Sequence, residues 1–194
     1  MLYYSEIIVW EWLLVGYVFL GIRKRGVTLR DLIDGRWRSG WDLLRDIGIA
    51  IGFWVVSITV LSLLGHALGL GGAGAETDIK NKLGALIPST RFELLLFVLV
   101  SLTAGFCEEV MFRGYLQRQF AALTKVDSIA IILQAIVFGL GHGYEGYARM
   151  IVIGVYGAMF GILVFWRKSL RPGMMSHAMH DALSGFFLYL HFAR

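Results

Sequence analysis

Charged residues are scarce in this chain of 194 residues: Asp, Glu, Lys and Arg make up 16% of it, whereas hydrophobic residues make up 57%. The mean hydropathy is +0.68. Soluble globular domains carry about 25% charged residues, so this composition excludes that class and indicates a membrane protein. The chain is too short to add a separate soluble domain to a membrane bundle. We therefore expect one transmembrane domain over residues 1–194.

Several catalytic and processing signals are missing. The only cysteine is Cys107, which excludes an intramolecular disulfide and a cysteine zinc cluster, and no neighbouring cation in the sequence would activate its thiol. The chain has no GxSxG elbow and no HExxH motif, which argues against a serine hydrolase and a zincin. The N-terminal segment lacks a basic region and a small-residue cleavage site, so we expect a retained helix rather than a signal peptide.

Six apolar runs are long enough to cross, or nearly cross, a bilayer of ~30 Å. They lie at about 7–22, 47–70, 93–112, 128–142, 148–166 and 172–192. These runs predict an all-α fold, a polytopic membrane bundle of about six transmembrane helices. The glycine-rich segment 69–78 is predicted to be a flexible outer loop, and Pro172 suits the first turn of the last helix.

Basic residues are distributed by loop. Thirteen of the 18 Lys and Arg residues fall in the segment 23–45, after the third run or after the fifth run, which all lie on one side. The positive-inside rule makes that side cytoplasmic and places both termini outside the cytoplasm. Because the net charge of +4 is explained by topology, we expect membrane lipid as a partner and no nucleic acid.

Charged residues interrupt the third and sixth runs. Each one costs about 2.5–3.5 kcal/mol at bilayer depth, so they should face one another or a water-filled cavity. Glu109 and Arg113 are four residues apart on one helix face, which predicts a neutralising ion pair. Glu108 then needs another partner.

Two histidines are candidates for that partner. Glu108 lies seventeen residues before the predicted turn at Lys125 and His142 lies seventeen residues after it, so the two should stand at one height. In the last run His177 and Asp181 are four residues apart on one face. Counted from Arg171, His177 is roughly 9 Å above the cytoplasmic boundary.

Such a cluster can hydrolyse a peptide bond. Glu108 would be the general base, His142 would orient the water, and His177 would donate a hydrogen bond to the oxyanion. Asp181 would fix the tautomer and orientation of His177.

Three ordered motifs carry a family resemblance: EEVMFR at 108–113, FGLGH at 138–142 and HAMHD at 177–181. In this order, over a predicted catalytic core at 90–192, they resemble the CPBP family of intramembrane proteases. That family includes type 2 CAAX prenyl proteases and bacterial abortive-infection and lysostaphin-resistance-like relatives. The resemblance implies Glu108 and His142 as the water-activating pair, His177 and Asp181 on the oxyanion side, and Glu109 with Arg113 as the supporting ion pair.

Two features of the catalytic set stay open in the sequence. Some relatives carry Asn where this chain has Asp181, and an ionised carboxylate there would repel an oxyanion unless it is protonated or turned towards His177. A divalent metal such as zinc is the alternative to direct water activation, and its ligands would be Glu108, His142, His177 and Asp181. No closely spaced ligand pair favours the metal.

The preferred function is an intramembrane endopeptidase that cuts membrane-associated or lipid-modified polypeptides. The alternative is a non-proteolytic immunity, scaffold or transport protein whose polar cluster binds a ligand. We expect an integral protein of a bacterial or archaeal plasma membrane with its active site towards the cytoplasmic side. Packing or interfacial roles are expected for Glu11, His66, Glu145 and His191, and His180 is a candidate for an indirect role.

Overall fold

The computed structural model describes residues 2–72 and 74–193, and in this part of the chain all regular structure is helical. The helices are α1 (Leu2–Arg23), α2 (Leu29–Ile33), α3 (Gly40–Ala67), α4 (Ala75–Leu83), α5 (Arg91–Glu108), α6 (Gln117–Thr124), α7 (Asp127–Gly141), α8 (Tyr147–Arg167) and α9 (Arg171–Phe192). A π-helical segment, Glu109–Leu116, joins α5 to α6 without a break. Short 3-10 turns lie at Gly84–Leu86 and Gly143–Glu145.

Each of the six predicted spans corresponds to a long helix, so the predicted all-α membrane bundle is confirmed. Within the described residues, four helices are long and apolar enough to cross a membrane: Tyr3–Arg23, Gly40–Ala67, Arg91–Thr124 and Tyr147–Arg167. Helix α7 is apolar but has 15 residues, and α9 has 22 residues and carries polar side chains. The continuous helix Arg91–Thr124, made of α5, the π segment and α6, has 34 residues. At ~1.5 Å per residue it exceeds the bilayer core, so it projects from the membrane.

Polar residues set the helix ends. The side chains of Thr28, Ser39 and Thr90 accept hydrogen bonds from the first turns of α2, α3 and α5. Pro172 lies in the first turn of α9, as predicted. The predicted loop at 69–78 is partly wrong, because α4 begins at Ala75. Ala73 lies outside the described residues.

Close approaches between helices bring the polar residues together. Helix α5 packs against α1 and α9, α7 packs against α8, and α3 packs against both α8 and α9. A Cβ at Gly105 would lie 2.8 Å from Ala178, and one at Gly139 would lie 2.7 Å from the Met150 carbonyl oxygen. Glycine at these positions therefore lets α5 approach α9 and lets α7 approach α8.

Candidate active site

The two adjacent glutamates lie where the helix changes type. Helix α5 ends at Glu108 and the π segment begins at Glu109. At its far end the backbone N–H of Gln117 donates to the carbonyl oxygen of Phe112, five residues back. Segments of this kind are rare and frequently lie at functional sites. The sequence prediction assumed an uninterrupted α-helix here.

Glu109 and Arg113 form an ion pair inside the protein. Arg113 Nη1 lies 2.9 Å from Glu109 Oε1, and both side chains are fully buried. Arg113 Nη2 also donates to the carbonyl oxygen of Gly157 at 3.3 Å. The guanidinium lies over the rings of Phe138 and Phe160, 4.3 and 4.9 Å from their centroids. The charge of Arg113 is thus contacted by a carboxylate, a carbonyl dipole and two aromatic faces.

His177 connects this ion pair to the other acidic residues. Its Nδ1–H donates to Glu109 Oε1 at 3.0 Å, while Nε2 lies 3.6 Å from Glu108 Oε2 and 3.5 Å from Asp181 Oδ2. The two longer distances are charge contacts rather than hydrogen bonds. The structure thus gives Glu109, and not Asp181, the position that fixes the ring. The spacing of residues in the sequence pairs Glu109 with Arg113 alone and does not predict this contact with His177.

His142 follows the last turn of α7, and its ring is oriented by its own helix. Nδ1 lies 2.9 Å from the carbonyl oxygen of Phe138. A carbonyl oxygen only accepts, so Nδ1 carries the proton and Nε2 of the neutral ring can accept a hydrogen bond. No ion pair or hydrogen bond within the described residues joins His142 to Glu108. The structure instead places them on the walls of one cavity.

This site cavity has a volume of about 440 Å³ and lies among α1, α5, α8 and α9. Its apolar lining includes Ile7, Leu70, Leu83 and Ile87. Its ionisable lining comprises Glu11, Glu108, His142, Glu145, Arg149, His177, His180 and Asp181. All four predicted catalytic residues therefore border one cavity, while Glu109 and Arg113 are buried beside it.

Three cavity residues received no catalytic prediction: Glu11, Glu145 and Arg149. The signal that could have identified Glu11 is its position within the first apolar run, where a carboxylate is costly. His180 also reaches the cavity, and its ring centroid lies 5.1 Å from that of Tyr156. His191 instead lies near the surface, 3.6 Å from Glu76. Cys107 is fully buried in an apolar cluster with Val15 and Val110 and does not line the cavity.

The proposed zinc ligands do not form a metal site in this arrangement. Among the described residues, no group of three or more His, Cys, Asp or Glu side chains is placed to hold a metal ion. The Nδ1 hydrogen bonds to Phe138 and Glu109 leave one nitrogen uncommitted on each histidine ring, an arrangement that metal-ligating histidines share, so the placement of the donors decides. A tetrahedral zinc site needs several donors that converge within about 2.3 Å of one point. We therefore derive no chemical step through a metal.

The cavity reaches the end of the bundle that carries the 68–90 connection, because Leu70, Leu83 and Ile87 line it. The basic segment 24–39 lies at the opposite end of α1 and α3. The two expectations about sidedness therefore conflict: the positive-inside rule would place this opening away from the cytoplasm, whereas the site was expected towards it.

Cysteine labelling decides this conflict. In a Cys107→Ala background, we expect Glu76→Cys to react with a membrane-impermeant maleimide in intact cells, because thirteen of 18 basic residues favour the other side as cytoplasmic. Arg36→Cys should react only in inside-out vesicles. Both positions are exposed, so access is limited by the membrane alone. The reverse labelling pattern would contradict the orientation predicted from the charges. It would mean that the site cavity opens on the cytoplasmic side.

In a comparison with protein-family models, residues 90–183 match the family described as Type II CAAX prenyl endopeptidase Rce1-like. No curated protein and no solved structure matches the chain. The matched range contains all three motifs and every predicted catalytic residue, and it excludes α1 to α4. The match over residues 90–183 supports the predicted resemblance of this part of the chain to the CPBP family of intramembrane proteases.

Proposed function

We propose that the chain hydrolyses a peptide bond in membrane-associated or lipid-modified polypeptides with a water molecule activated by Glu108. The observation that carries the proposal is the site cavity, on whose walls a carboxylate and two histidines lie within a bundle of membrane helices. The apolar side chains of the lining, such as Ile7 and Leu83, suit a hydrophobic or lipidated chain.

The reaction needs two proton transfers and one nucleophilic attack. Glu108 takes a proton from the water, and the hydroxide attacks the carbonyl carbon of the scissile peptide. His142, with its proton fixed on Nδ1 by the Phe138 carbonyl, accepts the other water proton in a hydrogen bond at Nε2 and so orients the water. When the tetrahedral intermediate collapses, Glu108 returns its proton to the leaving amine and the C–N bond breaks.

The role of His177 is to stabilise the oxyanion. Because Nδ1–H already donates to Glu109, the ring can donate at Nε2 only as an imidazolium. Three carboxylates lie within 3.6 Å of the ring and supply the negative charge that favours this form. A cationic donor facing the cavity would stabilise the oxyanion, and it would also offset the charge of Asp181.

The proposal is tested with purified protein in lipid vesicles and a farnesylated peptide, with mass spectrometry of the products. We expect cleavage at one peptide bond with water as the second substrate, so that ¹⁸O from labelled water enters one product carboxyl. Ligand binding without cleavage of any lipidated or membrane peptide would instead favour the immunity, scaffold or transport alternative.

Metal removal is the second measurement. We expect the rate to stay within about twofold after exhaustive chelation, because Glu108 alone can act as base in the metal-free mechanism. A zinc-dependent peptidase treated in the same buffer provides the control. Loss of cleavage that stoichiometric zinc restores would contradict the metal-free mechanism and leave the proteolytic function intact.

A further inference from the structure

The site cavity holds more negative than positive side chains. Glu11, Glu108, Glu145 and Asp181 line it, while Arg149 is the only Lys or Arg that the described part of the chain contributes to its lining. Arg149 is already engaged, because its Nη1 lies 2.7 Å from Asp78 Oδ2. Hydrogen bonds from Lys82 and Arg149 lower the pKa of Asp78, so this carboxylate keeps its charge and holds the arginine. The cavity carboxylates therefore have no free Lys or Arg beside them.

Glu11 is the cavity carboxylate whose position the proposed reaction does not explain. It comes from α1, which lies outside the range matched by the family model and takes no part in the proposed reaction. Its side chain lines the cavity, and the residue is 9% exposed. Its Oε2 atom is buried and has no hydrogen-bond partner among the described residues. A buried carboxylate without a partner is costly, so the Glu11 side chain, which lines the cavity, indicates a ligand there.

The chemistry of that ligand follows from the charges around it. Glu108 and Asp181 share the cavity with Glu11, and like charges repel one another more strongly in a low-dielectric interior than in water. The imidazolium of His177 offsets one of these charges, and a further cation relieves the remaining repulsion and gives the Glu11 carboxylate a partner. An anionic group would add to the repulsion.

We propose that Glu11 is a specificity-determining residue that binds a lysine or arginine side chain close to the scissile bond of the substrate. This inference rests on the proposed proteolytic function and names a chemical feature of its substrate. It assigns α1 a part in recognition while the catalytic residues lie on α5, α9 and the end of α7.

Matched peptides test the inference. Two lipidated peptides differ only at one residue beside the cleaved bond, which is lysine in one and norleucine in the other, and each flanking position is compared in turn. We expect the wild type to cleave the best lysine peptide with a KM at least about tenfold lower, the effect of one well-formed charge contact. Glu11→Gln should remove that difference by raising the KM of the lysine peptide to that of the norleucine peptide.

Two further variants serve as controls for the charge and the position of Glu11. Glu11→Asp retains the charge and should recover part of the lysine preference. Glu6→Gln changes an exposed carboxylate on the same helix and should leave the preference unchanged. Equal KM values for both peptides in the wild type would overturn the cation site while cleavage itself stands. An equal fall in kcat on both peptides in Glu11→Gln would also overturn it, and cleavage of neither peptide would count against the proposed function.

Discussion

Glu108→Gln is expected to lower kcat for peptide cleavage by about 10²–10⁴-fold, the usual contribution of a general base. The amide has nearly the shape of the carboxylate but cannot take a proton from water. Its side-chain oxygen can still accept a hydrogen bond from the substrate, so KM should change little. The measurement is steady-state cleavage of a lipidated peptide by protein reconstituted in vesicles.

Cys107→Ala is the matched control for this variant. Cys107 precedes Glu108 in the same helix but is buried in an apolar cluster away from the cavity. We expect it to keep wild-type kcat, which would also dismiss a thiol nucleophile. A Glu108→Gln variant with undiminished kcat would remove Glu108 as the base, and an equal loss in Cys107→Ala would mean that this helix turn tolerates no change.

Glu109→Gln is expected to reduce the free energy of unfolding by about 3–5 kcal/mol, as found when one partner of a buried ion pair is removed. The variant would leave the fully buried Arg113 without its carboxylate. It would also weaken the hydrogen bond that orients His177. We therefore expect a lower unfolding temperature in detergent together with a lower kcat in the fraction that folds.

An exposed ion pair provides the comparison. Lys80 Nζ and Glu76 Oε1 lie 3.7 Å apart, and their side chains are 58% and 60% exposed. Such pairs contribute about 0–1 kcal/mol, so Glu76→Gln should hardly change the unfolding temperature. A Glu109→Gln variant as stable as Glu76→Gln would show that the buried pair is not a structural requirement. Arg113→Met would then be the variant to compare, because it removes the cation instead.

Features that depend on one continuous segment could be predicted from the sequence. The six apolar runs gave six long helices, because length and hydropathy are properties of a continuous segment. The Glu109 and Arg113 contact follows from a spacing of four residues within one helix. The cavity shared by Glu108 and His142 agrees with the count of residues on either side of Lys125.

Features that depend on how helices meet could not be predicted. The π segment from Glu109 alters the directions of the side chains that follow, and no residue pattern in the sequence predicted this segment. The contact from Glu109 to His177 crosses from the π segment to α9, so spacing within either helix carries no information about it. The same holds for Glu11, which reaches the cavity only because α1 packs against α5.

The ion pair of Glu109 and Arg113 also has a consequence for biosynthesis. Both charges belong to one continuous helix, so they can neutralise each other before any other helix is present. The translocon can therefore pass this helix into lipid as a unit that has already offset its most costly side chains. Within four residues on its own helix, Asp181 has only His177 and His180 as potential cations. We infer that α9, which is synthesised after the helix that carries this ion pair, is stabilised in the membrane by docking onto a helix whose own charges are already paired.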